Sequence, residues 1–580
     1  MANLTCKAAE LMKILGINSV YHESAAALLV DGHLKCFVEE ERINRRKHGK
    51  KARLDNPHHL PEASIKACLD YAGLQIDEID YFAYSFAQTG RLQNIGVDRH
   101  LVPHQWGTDS GEKLFHDCLM QVPAELNRIA GSDVSSRLVW CDHHLAHAAS
   151  AFYCSPFKEA LVLVVDGIGE FDSISAYRGR ENQLEKILSL PYPHSLGFLW
   201  EKFCVYLGFS EHDACKLMGL SSYGRPKDMA EQFAKVARLD DTGVFCVDND
   251  ITRFRSTDLS GLEAVFGPAR TPGAAIEERH WHIAAALQAF TEEVLLSLLQ
   301  KLKTVVPSSN LCLAGGTALN CVANTIIARD GGYDNLFVQP AANDAGTALG
   351  SALHVAHGLK NHERRFDMKH SLWGPDFSES QILKAIAATD FKAVKSDDIP
   401  LLVAEQLNAG KIVGWFQGRM ETGPRALGNR SLLADPRRRD MREILNRKIK
   451  HREDFRPFAP SVLTELAGEW FDIPAPSISS DFMLFAYPTK PGRAEKIPAV
   501  THVDGTSRIQ TVNKNTNPRY HAMISEFYRL TGVPMVLNTS FNDSEPIVMT
   551  PEDALNTFSR TGIDVLVLGD HIIFKEQQNS

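Results

Sequence analysis

Residues 13–32, KILGINSVYHESAAALLVDG, decide the fold. Ile14–Ile17 is a short apolar run ending in the polar loop SVYHES, which reads as a buried strand that delivers a loop. SAAALLV and HLKCFVE follow as two further strands. Asp31-Gly32 between them is a hairpin signal, because the tightest hairpin turns need positive φ at their central residues. A second unit of the same shape starts at Glu159: EALVLVVDG, then SISAYRGRENQLEKILSL with a turn expected near Gly179. Two copies about 150 residues apart predict an internally duplicated α/β domain.

Outward from these units, WCDHHLAHAASAFYCS (140–155) is Ala-rich without Gly or Pro and reads as a helix. NLCLAGGTALNCVANTIIARD (310–330) reads strand, Gly-Gly turn, helix, and QPAANDAGTALGSALHVAHG (339–358) repeats the loop-to-helix pattern. The polar, irregular residues 359–378 read as a linker. LLVAEQLNAGKIVGWFQG then gives a helix stopped by Gly410 and a buried strand. The expected division is 13–358, a linker at 359–378, and 379–580, with the first twelve residues preceding the fold. A chain of 580 residues is too long for one core. All eleven cysteines lie at or before Cys321, an independent sign of two parts. Their odd number, without a C-x-x-C pair, points to reduced thiols and a cytoplasmic setting. No uninterrupted apolar stretch is long enough to span a bilayer, and the start lacks a secretory core. A net charge of −9 argues against general nucleic-acid binding.

Several residues could carry chemistry. His143 and His147 are four apart, so both imidazoles share one helix face within reach of one metal ion. Asp166 closes a buried strand and Asp344 opens a helix, the places where ligands of open α/β sheets bind. Two histidines with oxygen ligands suit Fe(II), Mn(II) or Zn(II). No glutamate lies between the histidines as a metallopeptidase would need. His22 in SVYHES is a candidate general base. Gly315-Gly316 before Thr317 resembles a backbone approach to a nucleotide at a helix start. RINRRKHGKK, 42–51, reads as a solvated basic loop. Residues 411–460 hold thirteen Lys or Arg against six Asp or Glu in an otherwise acidic chain. Arg425 and Arg430 sit among Gly, Pro and Asn, and Lys450, Arg452 and Arg456 among apolar residues. This favours a small anion site, whereas Arg437–Arg439 and Arg442 fit a solvated helix face.

These stretches, with EEERINRRKHG, KLMGLSSYG, GRMETGPRALGNRSLLADPR, KHREDFRPFAPS and VLNTSFN in this order, resemble the O-carbamoyltransferase family of nodulation-factor, cephamycin and tobramycin carbamoyltransferases. YHES and RRKHG look nearer the aminoglycoside (tobramycin) branch. The resemblance covers the chain from Lys13. It implies an actin/hexokinase-like, threonylcarbamoyl transferase-like N-terminal domain and a C-terminal domain similar to threonylcarbamoyl-AMP synthase. It further implies an Fe(II)-type ion on His143, His147, Asp166 and Asp344, and His22 as the catalytic base. Lys47, Gly315, Gly316 and Asn320 would contact the adenylate. Arg425, Arg430, Lys450, Arg456, Arg508, Asn538 and Ser540 would bind carbamoyl phosphate and ATP. The implied reaction carbamoylates a hydroxyl of a small-molecule acceptor by way of carbamoyl-adenylate. The implied partners are that acceptor and a second copy in a homodimer, with neither nucleic acid nor membrane. A sugar kinase, a tRNA-modifying enzyme or a nucleotide-gated actin-fold protein are the competing readings.

Overall fold

A computed structural model describes residues 11–241, 243–474 and 480–575. Most of the leader expected before Lys13, with Cys6, lies outside them. The first unit forms β1 (Lys13–Asn18), β2 (Ala25–Val30), β3 (His33–Glu39), β4 (Tyr81–Tyr84) and β5 (Leu138–Trp140), in the order β3-β2-β1-β4-β5. β1 pairs antiparallel with β2 and parallel with β4. The second unit forms β6 (Glu159–Val165), β7 (Asp172–Arg180), β8 (Gln183–Pro191), β9 (Asn310–Ala314) and β10 (Asn335–Val338). Its order, β10-β9-β6-β7-β8, repeats the first with the same strand directions. The internally duplicated α/β domain is therefore present.

Asp31 and Gly32 have φ of 50° and 73°, as the hairpin between β2 and β3 requires. The second hairpin turns at Glu181-Asn182, two residues beyond the expected Gly179. Gly179 lies inside β7, where a Cβ would fall 2.6 Å from the Phe152 ring.

Three helices position the site: α1 (His143–Phe152), α2 (Leu196–Tyr206) and α3 (Ala345–Leu353). α1 and α3 lie against one another, and α3 also packs on β1 and β2. Their facing residues are small, with Ala146, Ala149, Ala345, Ala348 and Ala352 all fully buried. Gly16 on β1 and Gly350 on α3 complete the fit. A Cβ at either would stand 1.8 Å from a carbonyl oxygen, of Ala348 and Ala146 respectively.

The C-terminal α/β domain is built on a nine-stranded mixed sheet. Its spatial order is 394–395, 571–574, 565–568, 413–416, 430–434, 535–540, 459–463, 506–512 and 485–488. One buried apolar core runs from the second sheet into this one. Residues 359–378 are not a free tether: Phe37 N donates to Trp373 O at 3.0 Å, and Thr422 N to Ser371 O at 2.7 Å. The helix Glu278–Val305 is long and apolar enough, by length and composition, to cross a membrane. Its Ile283, Leu287, Val294 and Leu299 are buried in the core.

In the run 42–51, Arg46, Lys47 and Lys51 are exposed as expected, but Arg42 and Arg45 are not. Arg42 is 1% exposed, pairs with Glu39 at 3.1 Å, and donates to Gly423 O at 2.7 Å. Arg45 donates to Ile547 O and Pro546 O at 2.7 and 2.6 Å. These arginines form the seam between the two halves of the chain.

Candidate active site

α1 starts where Asp142 accepts from Leu145 N at 2.8 Å and Glu170 accepts from His143 N at 3.0 Å. The helix turns His143 and His147 together toward Asp166, just past β6, and Asp344, which precedes α3. His143 Nε2 lies 3.6 Å from Asp166 Oδ2 and 3.6 Å from Asp344 Oδ1; His147 Nε2 lies 3.7 and 3.6 Å from the same atoms. All four ligand atoms fall within 4.8 Å of one another. Those separations are long for hydrogen bonds. They match donors arranged at about 2.0–2.2 Å around a shared cation. His143 Nδ1 faces Ser85 O at 3.2 Å, which leaves Nε2 as the lone-pair nitrogen. His143 Nε2 and both ring nitrogens of His147 are buried without a hydrogen-bond partner. The donor set therefore fits a divalent metal. Burial alone would depress both imidazoles, yet Asp166 and Asp344 hold them above the usual histidine range.

His22 is aimed at this quartet by a strained loop. Tyr21 and Glu23 have φ of 56° and 54°, costly for non-Gly residues. The strain is held by Asn18 Nδ2, which donates to His22 O and Glu23 O at 3.3 and 3.1 Å, and by Tyr21 Oη, which donates to Gly169 O at 2.8 Å. His22 Nδ1 lies 3.2 Å from Glu23 Oε2 and 3.9 Å from Asp344 Oδ2. Burial opposes its charge, but Glu23 and Asp344 raise it to about 10. The second oxygen of Glu23 holds His48 at 3.1 Å, and the His48 ring lies 4.4 Å from that of His212. Glu23 and His48 stand in the quoted stretches YHES and RRKHG, but no spacing ties them to His212.

A cavity of about 1880 Å³ joins His22, Asp166 and Asp344 to a cationic wall of Arg425, Lys450, Arg452, Arg456 and Arg508. Arg425 Nε, Arg452 Nη2 and Arg508 Nε are buried without partners. Burial, then the charge of its neighbours, pushes Arg452 down to about 9 and Arg508 to about 10. An anion entering here would recover that unfavourable energy. Arg456 Nη2 touches the exposed Cys215 at 3.7 Å. Lys47, Gly316, Asn320, Asn538 and Ser540 also line the cavity.

Several expected ligands are otherwise engaged. Arg430 is fully buried and does not face the cavity. It donates to the carbonyls of Gln417, Gly418, Asn429 and Met549 and stacks 3.6 Å over the Phe416 ring. It is a structural clamp, because its guanidinium has no face left for a ligand. Lys450 Nζ is surrounded by Ser540 O, Ser540 Oγ, Asn542 O and Asn542 Oδ1 at 2.6 to 3.2 Å, so it shapes that loop. Asn320 Oδ1 caps the helix Cys321–Asp330, and its amide nitrogen donates to Gln288. Gly315 has φ of 87°, a Cβ there would fall 2.4 Å from Val165 O, and it does not line the cavity. Arg437 lies in a turn, bound to Asp435, and not on a helix face.

The chain is 38% identical to nodulation protein NolNO of Sinorhizobium fredii, over 96% of this chain and 80% of that protein. It is 39% identical to nodulation protein NolO of Bradyrhizobium diazoefficiens, over 75% and 79% respectively. It is 33% identical to the 3'-hydroxymethylcephem-O-carbamoyltransferase of Amycolatopsis lactamdurans, over 62% and 64%. These relatives bear on the family and not on the aminoglycoside branch. Models of the carbamoyltransferase N-terminus and C-terminus match residues 13–353 and 404–575, so the chain belongs to the carbamoyltransferase family and is an enzyme of that family.

Proposed function

We propose that the enzyme uses ATP and carbamoyl phosphate to carbamoylate a hydroxyl of a small molecule, by way of carbamoyl-adenylate. The observation that carries this is one cavity lined both by a cationic wall and by Asp166 and Asp344 of the histidine–aspartate quartet. At the wall, Arg425, Arg452, Arg456 and Arg508 bind the phosphates. Carbamoyl phosphate and water give carbamate and phosphate. A carbamate oxygen then attacks the α-phosphorus of ATP, forming an O–P bond and releasing pyrophosphate. The mixed anhydride stays in the cavity, away from bulk water. The acceptor hydroxyl oxygen attacks the carbamoyl carbon, its proton passes to His22 Nε2, and AMP leaves. A divalent cation on the quartet, Fe(II) in this reading, would stabilise charge on the adenylate phosphate and offset the part of the charge raising His22 that comes from Asp344, the rest coming from Glu23. Glu23 and the strained loop keep His22 oriented.

The cephem relative, whose name states an O-carbamoyl transfer to a hydroxymethyl group, supports a small-molecule acceptor. The ten described cysteines are free thiols, which fits a reducing cytoplasm. The test is product analysis with labelled carbamoyl phosphate and ATP. Pyrophosphate should form only when both are present, and AMP only when a hydroxylated acceptor is added as well. ADP as product, or untouched ATP, would replace this reading with a kinase or a binding protein.

A further inference from the structure

A second wall of the cavity lies near His22, built from segments outside the motifs quoted above. Trp106, Phe198, Glu201, Phe254 and Arg255 line it. The Arg255 guanidinium lies 4.9 Å from the Tyr192 ring, 4.9 Å from Phe198 and 5.9 Å from Trp106. Its Nε and Nη2 are buried with no hydrogen-bond partner, and among the described residues it makes no ion pair. Neighbouring charges are already taken. Arg91 pairs with Glu112 at 3.2 Å, both fully buried, and Asp98 accepts from Tyr192 Oη at 2.6 Å.

Arg255 is held in place by its backbone. Lys202 Nζ donates to the carbonyls of Arg253, Ser256 and Asp258 at 3.0, 2.7 and 3.0 Å, fixing the loop that presents it. Glu201 lies within electrostatic reach of both His22 and Arg255, and burial pushes its carboxyl up to about 8. Aromatic faces offset part of the cost of burying a guanidinium. They leave its N–H donors unmet, and a bidentate oxyanion satisfies those donors.

We propose that this wall is an acceptor subsite for an acidic substituent, a carboxylate or sulfate ester, carried by a hydroxylated molecule with a flat or apolar face. Arg255 grips the oxyanion while the acceptor hydroxyl reaches His22. The subsite rests on the carbamoyl-transfer reading and disfavours polycationic acceptors.

Equilibrium dialysis would compare 4-nitrophenyl β-D-glucuronide, the β-D-glucoside and the 2-amino-2-deoxy-β-D-glucoside on the intact protein. The glucuronide should bind at least about tenfold more tightly than the other two. Arg255→Met should erase that preference and Arg255→Lys should restore part of it, with circular dichroism and melting confirming that both variants fold. Equal or absent binding of the three probes by the wild type, tighter binding of the amino sugar, or an undiminished preference in Arg255→Met overturns the proposal. Release of pyrophosphate from ATP in the presence of carbamoyl phosphate, measured on the same wild-type protein, reports separately on the underlying reading.

Discussion

Replacing Gly350 with alanine tests whether the candidate metal site of the histidine–aspartate quartet depends on the contact between the two helices beside it. The new Cβ would lie 1.8 Å from Ala146 O and 2.7 Å from Ala146 C, both backbone atoms of α1. Ordinary contact needs roughly 3.4 Å, so the helices must separate by about 1.5 Å, since neither atom can swing aside. α1 carries His143 and His147 on either side of Ala146, while Asp344 precedes α3. Metal–ligand distances tolerate about 0.2 Å, so this displacement exceeds what the quartet can absorb. Metal affinity should fall by at least about tenfold, the lower bound for disturbed support of a ligand set. Stability should fall by about 1–3 kcal/mol. The assay is anaerobic titration with Fe(II), Mn(II) and Zn(II) against a chromogenic chelator, alongside urea unfolding. Gly468→Ala, with no atom within 4 Å of its new Cβ, serves as the control. Wild-type affinity and stability in Gly350→Ala would refute the reasoning.

Four further outcomes follow from the structure. His22→Asn should lower carbamoyl transfer by about a hundredfold or more while carbamoyl-adenylate and pyrophosphate still form, as separate product assays would show. Arg452→Met should raise the KM for carbamoyl phosphate about tenfold or more, whereas Arg430→Met should lower the urea midpoint, because Arg430 faces only backbone carbonyls. Arg42→Met should cost about 3–5 kcal/mol by stranding buried Glu39, and adding Glu39→Gln should recover part of that loss in the same urea assay. Burial pulls Lys50 down from its ordinary value to about 7. The unfolded chain therefore holds more protons than the folded one between about pH 7 and 10, and this group's contribution to stability rises with pH across that window. Lys50→Met should flatten the rise in pH-dependent unfolding.

The duplicated sheets were legible because each copy writes its own strands and ends its first strand in a polar loop. The quartet was legible for a local reason, as histidines four apart on a helix must share a face. Arg425 and Arg430 show where local reading stops. Both stand in one Gly-rich stretch, yet Arg425 remains in the loop while Arg430 opens a strand, and tertiary packing turns it onto Phe416. Arg42 misled for the opposite reason: a run of basic residues looks solvated until another part of the chain supplies Gly423 O to meet it. Arg255 and the Glu23–His48–His212 cluster have no periodic signature, since their partners arrive from separate segments.

The arginine seam also limits how relatives could be recombined. Arg42 and Arg45 read main-chain oxygens of Gly423, Pro546 and Ile547, so recognition depends on the path of the facing backbone more than on its side chains. A hybrid enzyme joining the front of one relative to the back of another could tolerate many surface differences there. It could not tolerate an insertion that shifts either facing loop, because the chamber shared by the two halves would gape and admit bulk water.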